Sequence, residues 1–256
     1  MKKAEINHFF ELLLAMTEKE LRARYKHTVF GFIWLVANPL MQMIVISFVF
    51  TFFMKKPIRY YNYYLFTGLL IWNFFSLSLN KATQSIVLER HLIKKAVFPR
   101  VIIPVSIILS NFVNLVAAHL LFIIPIQFLG TLRPESIIFI IIGYVLLLNF
   151  TIGISLISSA LNVRFRDVNF FVQAMLIVWF YSTPIVYSFS IIPYNYIWLW
   201  RLNPMTSILQ IFQYAFIGYP MPGPAMLTVN IIIIAVTLIT GIKVFARESK
   251  YFDDWI

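Results

Sequence analysis

Residues 136–160 read SIIFIIIGYVLLLNFTIGISLISSA, an uncharged run bounded by Glu135 on one side and by Arg164 and Arg166 on the other. An α-helix rises about 1.5 Å per residue, so a helix of this length exceeds the ~30 Å hydrocarbon core of a bilayer. The run is a membrane span, and it sets the scale on which its flanks are read.

Working outward, five further apolar runs of sufficient length appear, at about 30–53, 63–81, 101–129, 168–188 and 225–246. All ten Asp and Glu residues fall outside the six runs, as the cost of a charge at the bilayer centre requires. The 256-residue chain is 61% hydrophobic, 18% aromatic and only 12% charged, with a mean hydropathy of +0.83. Soluble domains hold about 45–50% apolar residues. The expected fold class is therefore an all-α integral membrane protein with six transmembrane helices, residues 29–256 forming the transmembrane domain and 1–28 a separate interfacial region. There is no cysteine, which removes disulfides, thiolate metal sites and a Cys nucleophile.

The net charge of +11 raises the question of nucleic acid, and the placement of the cations answers it. With the N-terminus inside, sixteen of the 21 Lys and Arg fall on the inner side: six before span one, five from Lys81 to Arg100, Arg164 with Arg166, and three at the end of span six. Lys55, Lys56, Arg59, Arg133 and Arg201 are the five outside. This asymmetry places both termini in the cytoplasm. Insertion alone demands that distribution, so no nucleic-acid partner is inferred.

Residues 1–28 mix charges throughout and lack the apolar core of a secretory signal. Ile6, Phe9, Phe10, Leu13, Leu14 and Met16 instead cluster on one side of a helical wheel, with His8, Glu11, Glu18, Lys19 and Arg22 opposite. That pattern predicts an amphipathic helix in the membrane surface. Thr17 and Glu20 have capping-box spacing, which predicts a second helix start there. The stretch 189–224 combines five prolines with Trp198, Trp200, Tyr194 and Tyr196, a composition suited to short broken helices at the outer interface. Asn203 before Pro204 and Gly218 beyond predict a re-entrant or interfacial helix over about 204–217.

Catalytic constellations are missing. No acid lies within a span to couple protons or sodium or to form an intramembrane carboxylate pair. No H-E-x-x-H and no G-x-x-x-x-G-K-[ST] occurs, so neither a zinc enzyme nor a P-loop is predicted. The chain needs no cofactor of its own. Energy for uphill transport would come from a separate polypeptide touching the inner loops, and RHLIKKAVFPR (90–100) is the candidate docking element.

The stretches ELRARYKHTVFGFIWLVANPLMQM (20–43), LIKKAVFPRVIIPVS (92–106), NVRFRDVNFF (162–171), STPIVY (182–187) and RLNPMT (201–206) resemble, in order, the motifs of ABC-2 type polysaccharide exporter permeases. The resemblance runs from about residue 8 to the end. It implies the membrane subunit of an ABC transporter in the bacterial inner membrane: a homodimer with two copies of a separate ATPase that binds ATP and Mg. The implied cargo is a lipid-linked polysaccharide, with O-antigen ahead of teichoic acid or capsule. It also implies a coupling helix between spans two and three, within 82–97, carrying Glu89, Arg90, His91, Lys94 and Lys95. The competing reading is that these charges serve topology alone. An ATPase-independent channel or flippase is the alternative from another class.

Candidate channel-lining residues are the polar stripes at helical spacing: Thr151, Ser155, Ser158 and Asn162 on span four; Asn73, Ser76, Asn80 and Gln84 on span two; Asn38 and Gln42 on span one; Ser106, Ser110 and Asn114 on span three. Trp72, Trp179, Phe180 and Tyr181 offer aromatic faces on which sugars stack. For any single stripe, helix–helix packing is the leading competing reading. Pro39 and Pro184 are expected to bend spans one and five.

Overall fold

The structure, a computed structural model, describes residues 3–26, 31–53, 58–95, 98–132 and 134–255. Lys55, Lys56 and Arg133 of the expected outer loops lie outside the described residues, as do 96–97 at the end of the expected coupling segment. All regular structure among the described residues is helical.

Helix α1 (Lys3–Tyr25) runs unbroken through Thr17. The expected restart does not occur because the Thr17 hydroxyl donates to the Leu13 carbonyl one turn back, at 2.8 Å, and so continues the helix instead of capping a new one. Its outward edge carries Ile6, Phe10 and Leu14, 41%, 55% and 66% exposed. A short 3-10 turn leads into α2 (Trp34–Phe53), which contains Pro39.

Helix α3 (Tyr61–Leu88) continues seven residues past the span expected to end at 81. Hydropathy marks where a helix leaves the apolar zone and carries no signal for where it stops. The segment 82–97 is thus not one helix: α3 fills its first half, Glu89 turns the chain, and α4 (Arg90–Lys95) follows. Helices α5 (Ile102–Gln127), α6 (Ser136–Arg164) and α10 (Pro224–Glu248, continued by a 3-10 turn to Tyr251) are, among the described residues, the three long and apolar enough to cross a membrane.

Helix α7 (Asp167–Tyr181) stops well short of the expected 188. At about 1.5 Å per residue its 15 residues span roughly 22 Å. Thr183, as the residue before Pro184, is steered out of the helical region, and Ser182 and Thr183 donate back to the Val178 and Trp179 carbonyls at 2.9 and 2.8 Å. Pro184 therefore terminates the element and bends nothing. Beyond it, the Tyr64 hydroxyl holds the Pro184 carbonyl at 2.8 Å and the Tyr61 hydroxyl holds that of Val186 at 2.9 Å.

Two 3-10 turns and α8 (Ile197–Arg201) lead to α9 (Pro204–Ile217). The Asn203 side chain accepts from the Met205 amide at 3.1 Å, and Gly218 closes the helix at φ 67°, as the Asn-Pro start and Gly end predict. Its environment differs from a surface helix: every residue except Tyr214 is buried, against α6, α3 and α10. A short helix with this much surrounding protein has its backbone ends shielded from lipid. Around it lies the larger core, where the Phe75 and Phe150 rings stack at 5.7 Å with Trp179 edge-on to both.

A second core forms at one pole. It joins Leu13 and Met16 of α1, Ile86 at the end of α3, Ile93 of α4, Ile102 and Ile103 at the start of α5, Leu156, Ala160 and Val163 of α6, Phe245 at the end of α10, and Phe252 of the terminal turn α11 (Phe252–Trp255). Helices α6 and α10 cross at glycines: a Cβ on Gly241 would sit 2.3 Å from the Gly153 carbonyl oxygen. Close backbone approach through small residues is how membrane helices gain packing energy.

A polar cleft and a basic pole form the candidate functional site

A cleft of about 720 Å³ opens between α2, α3 and α5, with the last turn of α1 at one end. Asn38 and Gln42 enter it from α2, Asn73, Ser76 and Asn80 from α3, Asn111 and Asn114 from α5, and Arg24 and Tyr25 from α1. One turn separates successive residues of each stripe, so each helix shows one polar edge to the same space. The amides form separate short hydrogen-bonded chains, one on the α2–α3 side and one between α1, α5 and α3. Gln42 Nε2 donates to Asn38 Oδ1 at 3.2 Å and Asn73 Nδ2 donates to Gln42 Oε1 at 3.1 Å. Asn111 Nδ2 donates to Ser78 Oγ at 3.0 Å, and the Arg24 guanidinium donates to Asn111 Oδ1.

The Tyr25 hydroxyl donates to Asn114 Oδ1 at 2.8 Å. Burial pushes the Tyr25 phenol up from its ordinary range while the Arg24 charge and hydrogen bond pull the other way, so it stays a donor at neutral pH. Asn114 Nδ2 is buried with no partner among the described residues. The wall is thus amide-rich and uncharged along α2 and α5, with Arg24 and Lys81 gathered toward the α1 end. Neutral donors and acceptors of this kind hydrogen-bond hydroxyls without holding them as ions would.

The span-four stripe goes elsewhere. Thr151, Ser155, Ser158 and Asn162 are buried and do not line the cleft. Thr151 donates to the Leu147 carbonyl at 2.7 Å, and Ser158 Oγ lies 2.8 Å from Thr83 Oγ1 of α3. Ser106 and Ser110 bond within α5 to the Ile103 and Ile107 carbonyls, at 2.9 and 3.1 Å. Among the aromatics, Trp72 is buried edge-on to Phe180, with centroids 5.5 Å apart. Trp179 donates from Nε1 to Asn203 Oδ1 at 2.9 Å, and Tyr181 projects outward, 66% exposed.

Sequence reading missed Asn111, Arg24, Tyr25 and Lys81 as neighbours of the cleft. Asn111 sits one turn before Asn114, so its stripe was readable. Nothing in the α1 sequence tells that its end reaches α5.

The basic pole is built from α4. Ile93 is buried in the second core, which turns Arg90, His91, Lys94 and Lys95 outward, all four exposed. Glu89 pairs with Lys19 of α1 at 2.7 Å. At half-exposed surfaces such a pair is worth roughly 0–1 kcal/mol, so its effect is to register α1 against the α3–α4 corner more than to stabilise it. Among the described residues no cluster of His, Asp and Glu gathers at the density a metal ion needs.

Three helices long and apolar enough to cross a membrane, with a polar cleft between α2, α3 and α5, describe a multi-pass membrane protein. Residues 11–217 match the ABC-2 type transporter family, and the chain belongs to it. Its relatives include two O-antigen export system permease proteins RfbA of Klebsiella pneumoniae, 37% and 35% identical over 216 residues, 81% of this chain and 80% of theirs. The protein of that name from Myxococcus xanthus is 29% identical over 254 residues, 98% of both chains.

Proposed function

We propose that this chain is the permease subunit of an ABC transporter that exports a lipid-linked polysaccharide, O-antigen in kind, across the bacterial inner membrane. Two copies face each other to enclose the path, and a separate ATPase, in two copies and carrying ATP and Mg, drives it. Helices α2, α3 and α7 complete six spans with α5, α6 and α10, and both termini lie in the cytoplasm. The second core supports that topology: it gathers α1, α4, the start of α5 and the ends of α6 and α10, the segments that charge asymmetry assigns to the inner side. The outward apolar edge of α1 supports its lying in the membrane surface.

The observation that carries this reading is the amide-lined cleft, whose uncharged α2 and α5 walls suit a hydroxyl-rich polymer that must slide. ATP-driven movement of the partner presses on Arg90, His91, Lys94 and Lys95. Because Ile93 seats α4 in the second core and Glu89 holds Lys19, that push moves α1 and α3 together, and both line the cleft.

Two measurements test it. Cells lacking the protein are expected to accumulate undecorated, lipid-linked polymer inside; accumulation of none sinks the substrate assignment. Reversing Arg90, Lys94 and Lys95 to Glu together is expected to abolish co-purification of a P-loop ATPase while membrane insertion stays normal. Undiminished co-purification and export would remove the docking role.

A further inference from the structure

Helix α9 carries three polar side chains along one edge. Thr206, Gln210 and Gln213 follow one another at intervals of four and three, so they stack on a single face. They are 0%, 6% and 0% exposed. Four of their atoms, Thr206 Oγ1, Gln210 Oε1 and both Oε1 and Nε2 of Gln213, are buried without a hydrogen-bond partner among the described residues. On the adjoining face the same helix is met directly, Ser207 Oγ accepting from Asn230 Nδ2 of α10. Roughly 90% or more of buried polar groups in folded proteins are bonded, to protein or to ordered water. Four unmet atoms on one edge of a short helix therefore call for an occupant.

The row ends beside Tyr64 of α3. The proton of that hydroxyl lies between the Pro184 and Tyr187 carbonyls, at 2.8 and 2.9 Å, which leaves its oxygen able to accept. The Gln213 side chain reaches toward the Tyr64 hydroxyl, yet neither of its amide atoms completes a hydrogen bond. Whatever fills the row must both give and take hydrogen bonds. It must also be small, because every α9 residue except Tyr214 is buried. Water meets both demands. A cation would satisfy the oxygens and leave the Nε2 donor facing it.

We infer that the Thr206–Gln210–Gln213 row binds ordered water, which bridges α9 to the Tyr64 oxygen of α3. About two molecules, at roughly three bonds each, meet the four atoms and Tyr64. The assignment does not depend on what the chain transports.

X-ray radiolysis of the purified full chain in detergent generates hydroxyl radicals from bound water, and these oxidise the side chains beside it. Tyr64 is almost fully buried, so its oxidation reports internal water. Mass spectrometry is expected to find Tyr64 oxidised well above Phe75, which is equally buried in the aromatic core. Tyr64 oxidation no greater than that of Phe75, after correction for intrinsic reactivity, overturns the inference. Gln213→Leu keeps the shape and removes both amide atoms. It is expected to abolish Tyr64 oxidation and to lower Tm, because the water and Tyr64 lose their partner. A dry row predicts the opposite sign, since an apolar side chain relieves an unmet amide. An unchanged or raised Tm, or undiminished Tyr64 oxidation, in the folded Gln213→Leu protein therefore overturns the inference. Should that variant not fold, the sign of the Tm change in Thr206→Val decides in the same way. Replacing sodium by choline is expected to change neither reading. A fall in Tm on that exchange, present in the wild type and absent in Gln213→Leu, would mean a bound ion and reject the water assignment.

Discussion

At the scale of single residues, Asn203 holds more together than any motif suggests. Its Oδ1 caps α9 and accepts from Trp179, while its Nδ2 donates to the Ser182 carbonyl at 3.1 Å and to Thr183 Oγ1 at 3.0 Å. One amide therefore ties the end of α7 to the start of α9. Loss of a cap costs about 1 kcal/mol, and each buried group left unpaired about 1–3 kcal/mol more. Asn203→Ala is expected to destabilise the detergent-solubilised protein by roughly 2–4 kcal/mol, read as a fall in Tm. Asn203→Asp keeps both acceptor contacts and loses the donors, so it should fall between. Equal Tm values for wild type and Asn203→Ala would show the bonds to be incidental. The cap was legible from Asn-Pro in the sequence; the reach to Trp179 was not, because it depends on where α7 ends.

At the scale of elements, legibility followed the physics each signal reports. The runs 101–129, 136–160 and 225–246 became α5, α6 and α10, each end within four residues of the expected one, because uninterrupted apolar length is itself the property a span requires. Span five misled because hydropathy continues through Ile185, Val186 and Tyr187 although Pro184 has already closed the helix. The Thr17 box misled because the same hydroxyl can bond forward as a cap or backward along the helix, and burial of Leu13 and Met16 favours continuity. Helix α9 was placed correctly by its caps, yet its burial was invisible, since flanking Trp and Pro describe only the approach to it. The cleft was half legible: the α2 and α3 stripes meet, while the α6 stripe packs on α3. Uncharged polar spacing alone does not separate lining from packing. The α6–α10 crossing was silent altogether, because close backbone contact leaves no mark except two glycines far apart in sequence. Gly241→Ala would push a methyl against the Gly153 carbonyl, a rigid backbone atom. Overpacking of this kind costs about 1–3 kcal/mol, so Tm and yield are expected to fall. Ile239→Ala, on the exposed face of the same helix, is expected to stay within about 0.5 kcal/mol of wild type. Similar losses for both would place the sensitivity in α10 generally and not at the crossing.

At the scale of the whole molecule, the outward faces and the cleft make opposite demands. Helix α2 presents Met41, Ile44, Val45, Phe48 and Phe52 outward, and α7 presents Phe170, Phe171, Ile177 and Val178. Apolar surface of this extent needs lipid or a second copy against it. The cleft between α2, α3 and α5 keeps its amides away from that surface. If the cleft is a wall of the export path, filling it should stop transport without unfolding the chain, whereas filling an outward face should do neither. Ser76 is only partly buried and lines the cleft; Val145, on α6, is 52% exposed. Ser76→Trp is expected to abolish surface polysaccharide in cells while leaving membrane level and Tm near wild type. Val145→Trp is expected to export normally. Ser155 is fully buried away from the cleft, so Ser155→Trp is expected to lose export together with stability. That loss of both is the signature of packing. Normal export by a stably inserted Ser76→Trp protein would mean that the polymer does not pass this cleft. The path would then have to be sought on the outward faces of α2 and α7.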